Sequence, residues 1–148
     1  MTDAVPDIRP CRDEESLRAV FPVMRQLRTH LDEASYLALC RRAQAQGYEM
    51  HAAWQGGKPV GAIGWRLLDD LARGRSLYVD DLVTDEAVRG RGIGAALMRH
   101  AEAAARAAGC SQLRLSSRFE REAAHRFYER IGMRKPSYVF VVDLGNGP

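Results

Sequence analysis

The sequence predicts an α/β fold: a single domain with a mixed, mostly antiparallel sheet of six or seven strands and helices on both faces. Three observations lead there. Strand-like and helix-like segments interleave along 148 residues, a length that gives one domain a real core and falls short of two ordinary ones. Three strand-like runs follow one another between residues 48 and 83, which favours antiparallel pairing. A strand, a helix and another strand follow from residue 76 to residue 116, which favours a parallel crossover.

Residues 8–11 read as a short first strand. Asp13 can cap a helix whose apolar positions Leu17, Val20, Phe21, Met24 and Leu27 share one stripe, with Pro22 expected to kink or split it. A second helix spans residues 32–47. Residues 48–54 and 60–67 flank the turn-like Gln55-Gly56-Gly57-Lys58 and form a hairpin. Residues 67–75 read as a polar connection, and residues 76–83 as a strand rich in β-formers. A strong helix covers residues 92–108 and ends at Gly109. Residues 112–116 alternate like a strand. Ser117 and Glu120 fit a capping box for a helix that stops at Gly132, and residues 138–144 read as a last strand. The domain is expected over residues 1–145, with residues 146–148 as a frayed tail.

Composition narrows the function classes. A chain 46% hydrophobic and 28% charged is globular in type, and no apolar run approaches a membrane span of about 20 residues. The start, MTDAVPDIRP, lacks the order of a secretory signal, so the cytoplasm is expected. Cys11, Cys40 and Cys110 are far apart and odd in number, which suggests reduced thiols. His30, His51, His100 and His125 have no His or Cys partner at ligand spacing, so no metal is expected. The net charge of +3 weakly favours an anionic partner. Basic and acidic residues are mixed, without a basic stripe and stacking aromatics, which argues against nucleic acid.

The stretch DEAVRGRGIGAALMRH, residues 85–100, carries the strongest chemical signal. A strand, a glycine-rich loop and a helix start make an anion site, because exposed N–H groups and the helix dipole attract phosphate. A P-loop would need G-x-x-x-x-G-K-[ST], and the lysine is missing. A dinucleotide fingerprint would follow its strand directly, whereas six residues separate Val83 from Gly90, and a fingerprint begun at Gly92 would meet Leu97 at its third glycine. Arg89-Gly90-Arg91-Gly92-Ile93-Gly94 instead resembles the Q/R-x-x-G-x-G/A signature of the GNAT superfamily of N-acetyltransferases. The upstream LYVDDLVTDEAV resembles that family's fourth strand. The downstream run from Ala124 through Phe127-Tyr128-Glu129 to Gly132-Met133 resembles its A-x-x-F-Y-E-x-x-G-F motif. Arg121 stands where many relatives carry an asparagine that helps hold the pantetheine arm, so that role is not carried over.

The resemblance implies acetyl-CoA as cosubstrate. Arg89, Gly90, Arg91, Gly92, Ile93, Gly94 and Ala95 would cradle its diphosphate, and Leu82, Val83 and Thr84 would lie along the pantetheine arm. A backbone N–H at Leu82 or Val83 would meet the thioester carbonyl, and Tyr128 would sit near the sulfur. Amide formation requires a deprotonated amine, whose ammonium has a pKa of ~10.4, and a leaving thiolate that takes a proton, which a phenol of pKa ~10 can supply. Asp80 and Asp81 interrupt an apolar strand and are candidate bases. Neighbours on a regular strand face opposite sides, so at most one of them is expected to reach a given site, with Asp80 preferred. Residues 25–31, the hairpin near Trp65 and the loop 67–75 are expected to shape the acceptor pocket. Arg25, Arg28 and His30 there could bind an acidic group, and Asp69 and Asp70 could attract a cationic one. The expected function is transfer of acetyl from acetyl-CoA to a primary amine by direct nucleophilic attack, with a small molecule as the expected acceptor. The alternatives are a protein or peptide N-acetyltransferase and an acyl-CoA sensor of the same fold without turnover. The resemblance also leaves room for a homodimer.

Overall fold

The apolar stripe predicted after Asp13 forms α1 (Glu14–Leu27), and Asp13 caps it by accepting the Ser16 N–H at 2.9 Å. Pro22 does not split the helix. The proline is exposed, while Val20, Phe21, Val23 and Met24 around it are buried. That burial outweighs the one helical hydrogen bond a proline cannot make. Asp32 caps α2 (Glu33–Gln44) in the same way, through the Ser35 N–H at 2.8 Å.

The computed structural model describes residues 6–148; residues 1–5 of the expected domain lie outside the described residues. The chain divides into two compact units, Met1–Arg114 and Leu115–Pro148. In the first, β1 (Asp7–Pro10), β2 (Glu49–Gln55), β3 (Lys58–Asp70), β4 (Gly74–Thr84) and β5 (Gln112–Leu115, its last residue in the second unit) follow one another across the sheet in sequence order. The pairs β1/β2, β2/β3 and β3/β4 are antiparallel. Five strands form among the described residues, not six or seven. The connection expected over residues 67–75 is mostly strand. Leu67 pairs with Leu77 and Asp69 with Arg75, so only the tip from Leu71 to Arg73 is a turn. Ion pairs Asp69–Arg75 and Asp70–Arg73, each at 2.9 Å, let this charged tip continue the ladder.

Alternation along the strands builds a core on each face. Met50, Ala52, Ala62 and Val83 join the buried residues of α1 and α2. The intervening positions meet α3 (Ile93–Ala107): its Ile93 and Leu97 lie over Gly61, and its His100 lies against His51 and Trp65. Helices thus cover both faces of the first unit's sheet.

In the second unit α4 (Glu122–Arg130) begins at the N-cap Arg121, which makes no side-chain capping bond. The expected Ser117–Glu120 capping box is not formed, and the Ser117 hydroxyl is buried without a hydrogen-bond partner. Residues 138–144 form no strand, and Tyr138, Val139, Phe140, Val141 and Val142 are all exposed. A β-favouring composition makes a strand only when a neighbouring strand accepts its ladder.

Candidate active site

The expected cofactor residues occupy consecutive structural positions. Leu82, Val83 and Thr84 end β4; a 3₁₀ turn (Glu86–Val88) follows; Arg89, Gly90 and Arg91 form the loop; Gly92 is the N-cap of α3; and Ile93, Gly94 and Ala95 are its first turn. Gly90 and Gly92 both adopt φ +81°, a backbone conformation that side chains disfavour, and open space surrounds the position where each would carry a Cβ. No side chain caps α3 and no acid lies in its first turn. The first helical bond runs from the Ala96 N–H to the Gly92 carbonyl at 3.0 Å. The amides of Ile93, Gly94 and Ala95 therefore point out of the helix end without an intrahelical acceptor. Arg89 and Arg91 are exposed beside them. These residues suit a diphosphate: open N–H donors, a favourable dipole, added positive charge and no Cβ in the way.

Upstream, β4 carries a bulge. Gly64 pairs with Asp81 and Trp65 with Val79, so Asp80 is an extra residue without a partner in the β3/β4 ladder. The bulge overturns the expectation that Asp80 and Asp81 face opposite sides, because one added residue resets the alternation. Asp81 lies opposite Gly64, and Asp80 binds Arg66, two residues further along the same side of β3. The two carboxylates thus share the face that carries α1 and α2.

Each carboxylate is held by an arginine. Arg66 grips Asp80 through Nε and Nη2 at 2.9 and 2.8 Å. Arg28, just past the end of α1, donates to Asp81 at 2.9 Å and to the Asp80 carbonyl at 2.8 Å. Tyr48 completes the cluster by donating its phenol to Asp81 at 2.6 Å. Burial, with the Asp81 carboxylate next, raises the Tyr48 pKa well above that of an ordinary phenol, so the hydroxyl remains a donor. Gly64 makes this bond possible, since a Cβ there would overlap the Tyr48 phenol. The Arg28 and Arg66 side chains stay 40% and 34% exposed while paired to the two carboxylates.

Other expected residues play smaller parts. Arg25 and His30 are exposed. Asp69 and Asp70 are paired with Arg75 and Arg73, which cancels much of their pull on a cation. Cys11 and Cys40 are buried free thiols whose pKa burial raises to about 11; Cys110 is also free and half-buried. Tyr128 lies on α4 in the second unit, half-buried. Burial raises its pKa, and the charge of the nearby Arg121 opposes that rise. Among the described residues no three His, Cys, Asp or Glu side chains gather as a metal site, and no helix is long and apolar enough to cross a membrane.

Sequence reading missed the bulge, Tyr48 and Arg66, and it assigned Arg28 only to a ligand. The doubled Asp within an apolar strand was the one local signal. Gly64 acts through its neighbour across the sheet, which becomes visible only once register is known.

The geometry has clear relatives. The model of the "Acetyltransferase (GNAT) family" matches residues 14–133. The chain belongs to the GNAT acetyltransferase family. This GNAT protein is 34% identical over 122 residues to the uncharacterized N-acetyltransferase YhdJ of Bacillus subtilis strain 168, covering 81% of this chain and 86% of that one. It is 34% identical over 93 residues to the aminoalkylphosphonate N-acetyltransferase of Salmonella typhimurium strain LT2, covering 62% and 60%. In fold it is similar to the aminoglycoside N-acetyltransferase AAC(6')-Iy in complex with CoA, with a TM-score of 0.81 at 16% identity over 94% of each chain.

Proposed function

We propose that this GNAT protein transfers the acetyl group of acetyl-CoA to a small primary amine by direct attack. The observation that carries the reading is the start of α3, where a glycine loop, an uncapped helix end and two exposed arginines follow directly on the bulged β4. Acetyl-CoA, when bound, supplies an activated thioester. The amides of Gly92, Ile93, Gly94 and Ala95 hold its diphosphate, and a backbone N–H at Leu82 or Val83 receives the charge that develops on the carbonyl oxygen.

The amine approaches the face of β4 that carries Asp80 and Asp81. One of these carboxylates takes the ammonium proton, directly or through water. The neutral nitrogen attacks the thioester carbon, the carbon–sulfur bond breaks, and the nitrogen gives its surplus proton to solvent as the amide forms. The departing thiolate takes a proton from the Tyr128 phenol, which solvent later restores. Family resemblance supports that role for Tyr128. The nearby Arg121 supports it too, because a cation stabilises the phenolate left after proton transfer. No cysteine lies in either motif, in keeping with direct transfer rather than an acyl-enzyme.

Partly exposed Arg28 and Arg66 beside the two carboxylates favour an acceptor that bears an acidic group as well as its amine. The relative named for aminoalkylphosphonates supports the same class.

Thiol release from acetyl-CoA, measured against a panel of amines with and without an acidic group, tests this function. Turnover is expected, fastest with the acidic amines. Saturable CoA binding without turnover on any amine or peptide would favour the sensor. The absence of any thermal shift with CoA would remove the cofactor assignment.

A further inference from the structure

Gln26 lies in the last turn of α1 and is half-buried. Both ends of its side-chain amide are engaged within the chain. The Gln26 Oε1 accepts the Glu86 N–H at 3.0 Å, and its Nε2 donates to the Asp85 carboxylate at 3.2 Å. The same Asp85 oxygen accepts the Ala87 N–H at 3.2 Å, and the Asp85 N–H donates to the Val60 carbonyl at 2.8 Å. The chain is therefore fastened where it leaves β4, a few residues before the glycines. Asp85 is also a negative charge close in sequence to a loop read as an anion site. The Gln26 amide is the first cause holding its pKa below the ordinary carboxylate value.

Two residues further on, Arg28 fixes Asp81 and the Asp80 carbonyl. The C-terminal end of α1 thus grips β4 at its bulge and again at its exit. We propose that Gln26 is a positioning residue for the cofactor loop: its two hydrogen bonds set the departure of residues 85–92 from β4, and so the aim of the amides at the start of α3. The proposal rests on reading that loop as the diphosphate site.

The test measures dissociation constants by calorimetry for CoA and for pantetheine, which lacks the diphosphate, on folded wild type, Gln26→Ala and Gln26→Glu. Gln26→Ala is expected to weaken CoA roughly tenfold, the scale of losing one or two modest hydrogen bonds, and to leave pantetheine unchanged. Equal weakening of both ligands, or none of CoA, overturns the proposal. In Gln26→Glu a second carboxylate faces Asp85, so CoA binding should be poor at neutral pH. It should recover relative to Gln26→Ala at about pH 5, where a shared proton can restore the donor. A defect in Gln26→Glu that acid does not relieve, relative to Gln26→Ala, overturns the assigned bond to Asp85. A wild type that binds pantetheine as tightly as CoA removes the diphosphate site itself, and the proposal with it.

Discussion

Helices α1 and α3 begin in opposite ways. The end of α1 is sealed by its own sequence: Asp13 takes the Ser16 N–H, and Glu14 and Glu15 place negative charge in the first turn. Asp32 and Glu33 do the same for α2. Helix α3 starts at a left-handed glycine with no side-chain cap and no acid. Helix α4 also lacks a side-chain cap but keeps Glu122 in its first turn, so among the described helices α3 alone begins with neither a capping side chain nor an acid. Such a local departure from good helix design is expected at a functional site, where a bound anion can complete what the sequence omits.

The most severe way to break the contrast is to make α3 begin like its neighbours. Gly92→Asp adds a side chain at φ +81° and a negative charge where the diphosphate is proposed to sit. CoA affinity should fall by about 100-fold or more, read by calorimetry, from like-charge repulsion added to lost access to the amides. Unchanged affinity would mean that the open helix end serves no anion.

Tyr128→Phe sharpens the comparison by separating grip from chemistry. It should lower kcat by about 100-fold, the scale of losing a general acid, and leave the CoA dissociation constant within about twofold. A smaller step is the pair Arg89→Ala and Arg91→Ala. Each exposed cation should contribute a few-fold to CoA affinity, and that contribution should shrink as salt rises from about 0.05 to 0.5 M. A salt-independent loss would point to a structural role for the side chain.

The features read correctly from the sequence are those whose cause lies within a few residues. Asp13 and Asp32 mark helix starts because a cap acts on an amide three positions away, and Gly90 and Gly92 mark the loop because a positive φ is a local demand. The bulge at Asp80 was hidden because register is a property of two strands. Gln26 was hidden because its partners are some 60 residues away in the chain. Residues 138–144 show the converse. Their composition is strongly β-forming, yet a strand is defined by its neighbour, and composition names none.

Acid unfolding tests both the caps and the body of α3, and it should resolve them by pH. His100 on α3 lies 3.0 Å from His51 on β2, and His51 stacks on Trp65 with ring centroids 4.5 Å apart. Burial lowers both histidines below the ordinary value of 6.5, and the neighbouring imidazole lowers His51 further. An unfolded chain then binds protons before the folded one does. The pair's contribution is whole above about 6.5 and is lost as pH falls through the lowered folded values. Asp13 and Asp32 are lowered from 3.8 by the N–H and hydroxyl donors of Ser16 and Ser35, so their contribution persists until pH drops through and below that carboxylate range. Melting temperature should therefore decline first as pH falls below about 6.5, and again below about pH 4. His100→Asn should flatten the first decline and leave the second. Asp13→Ala should lower Tm by a few degrees at neutral pH, flatten part of the second decline and leave CoA affinity unchanged, because that helix end, unlike the start of α3, already has its anion.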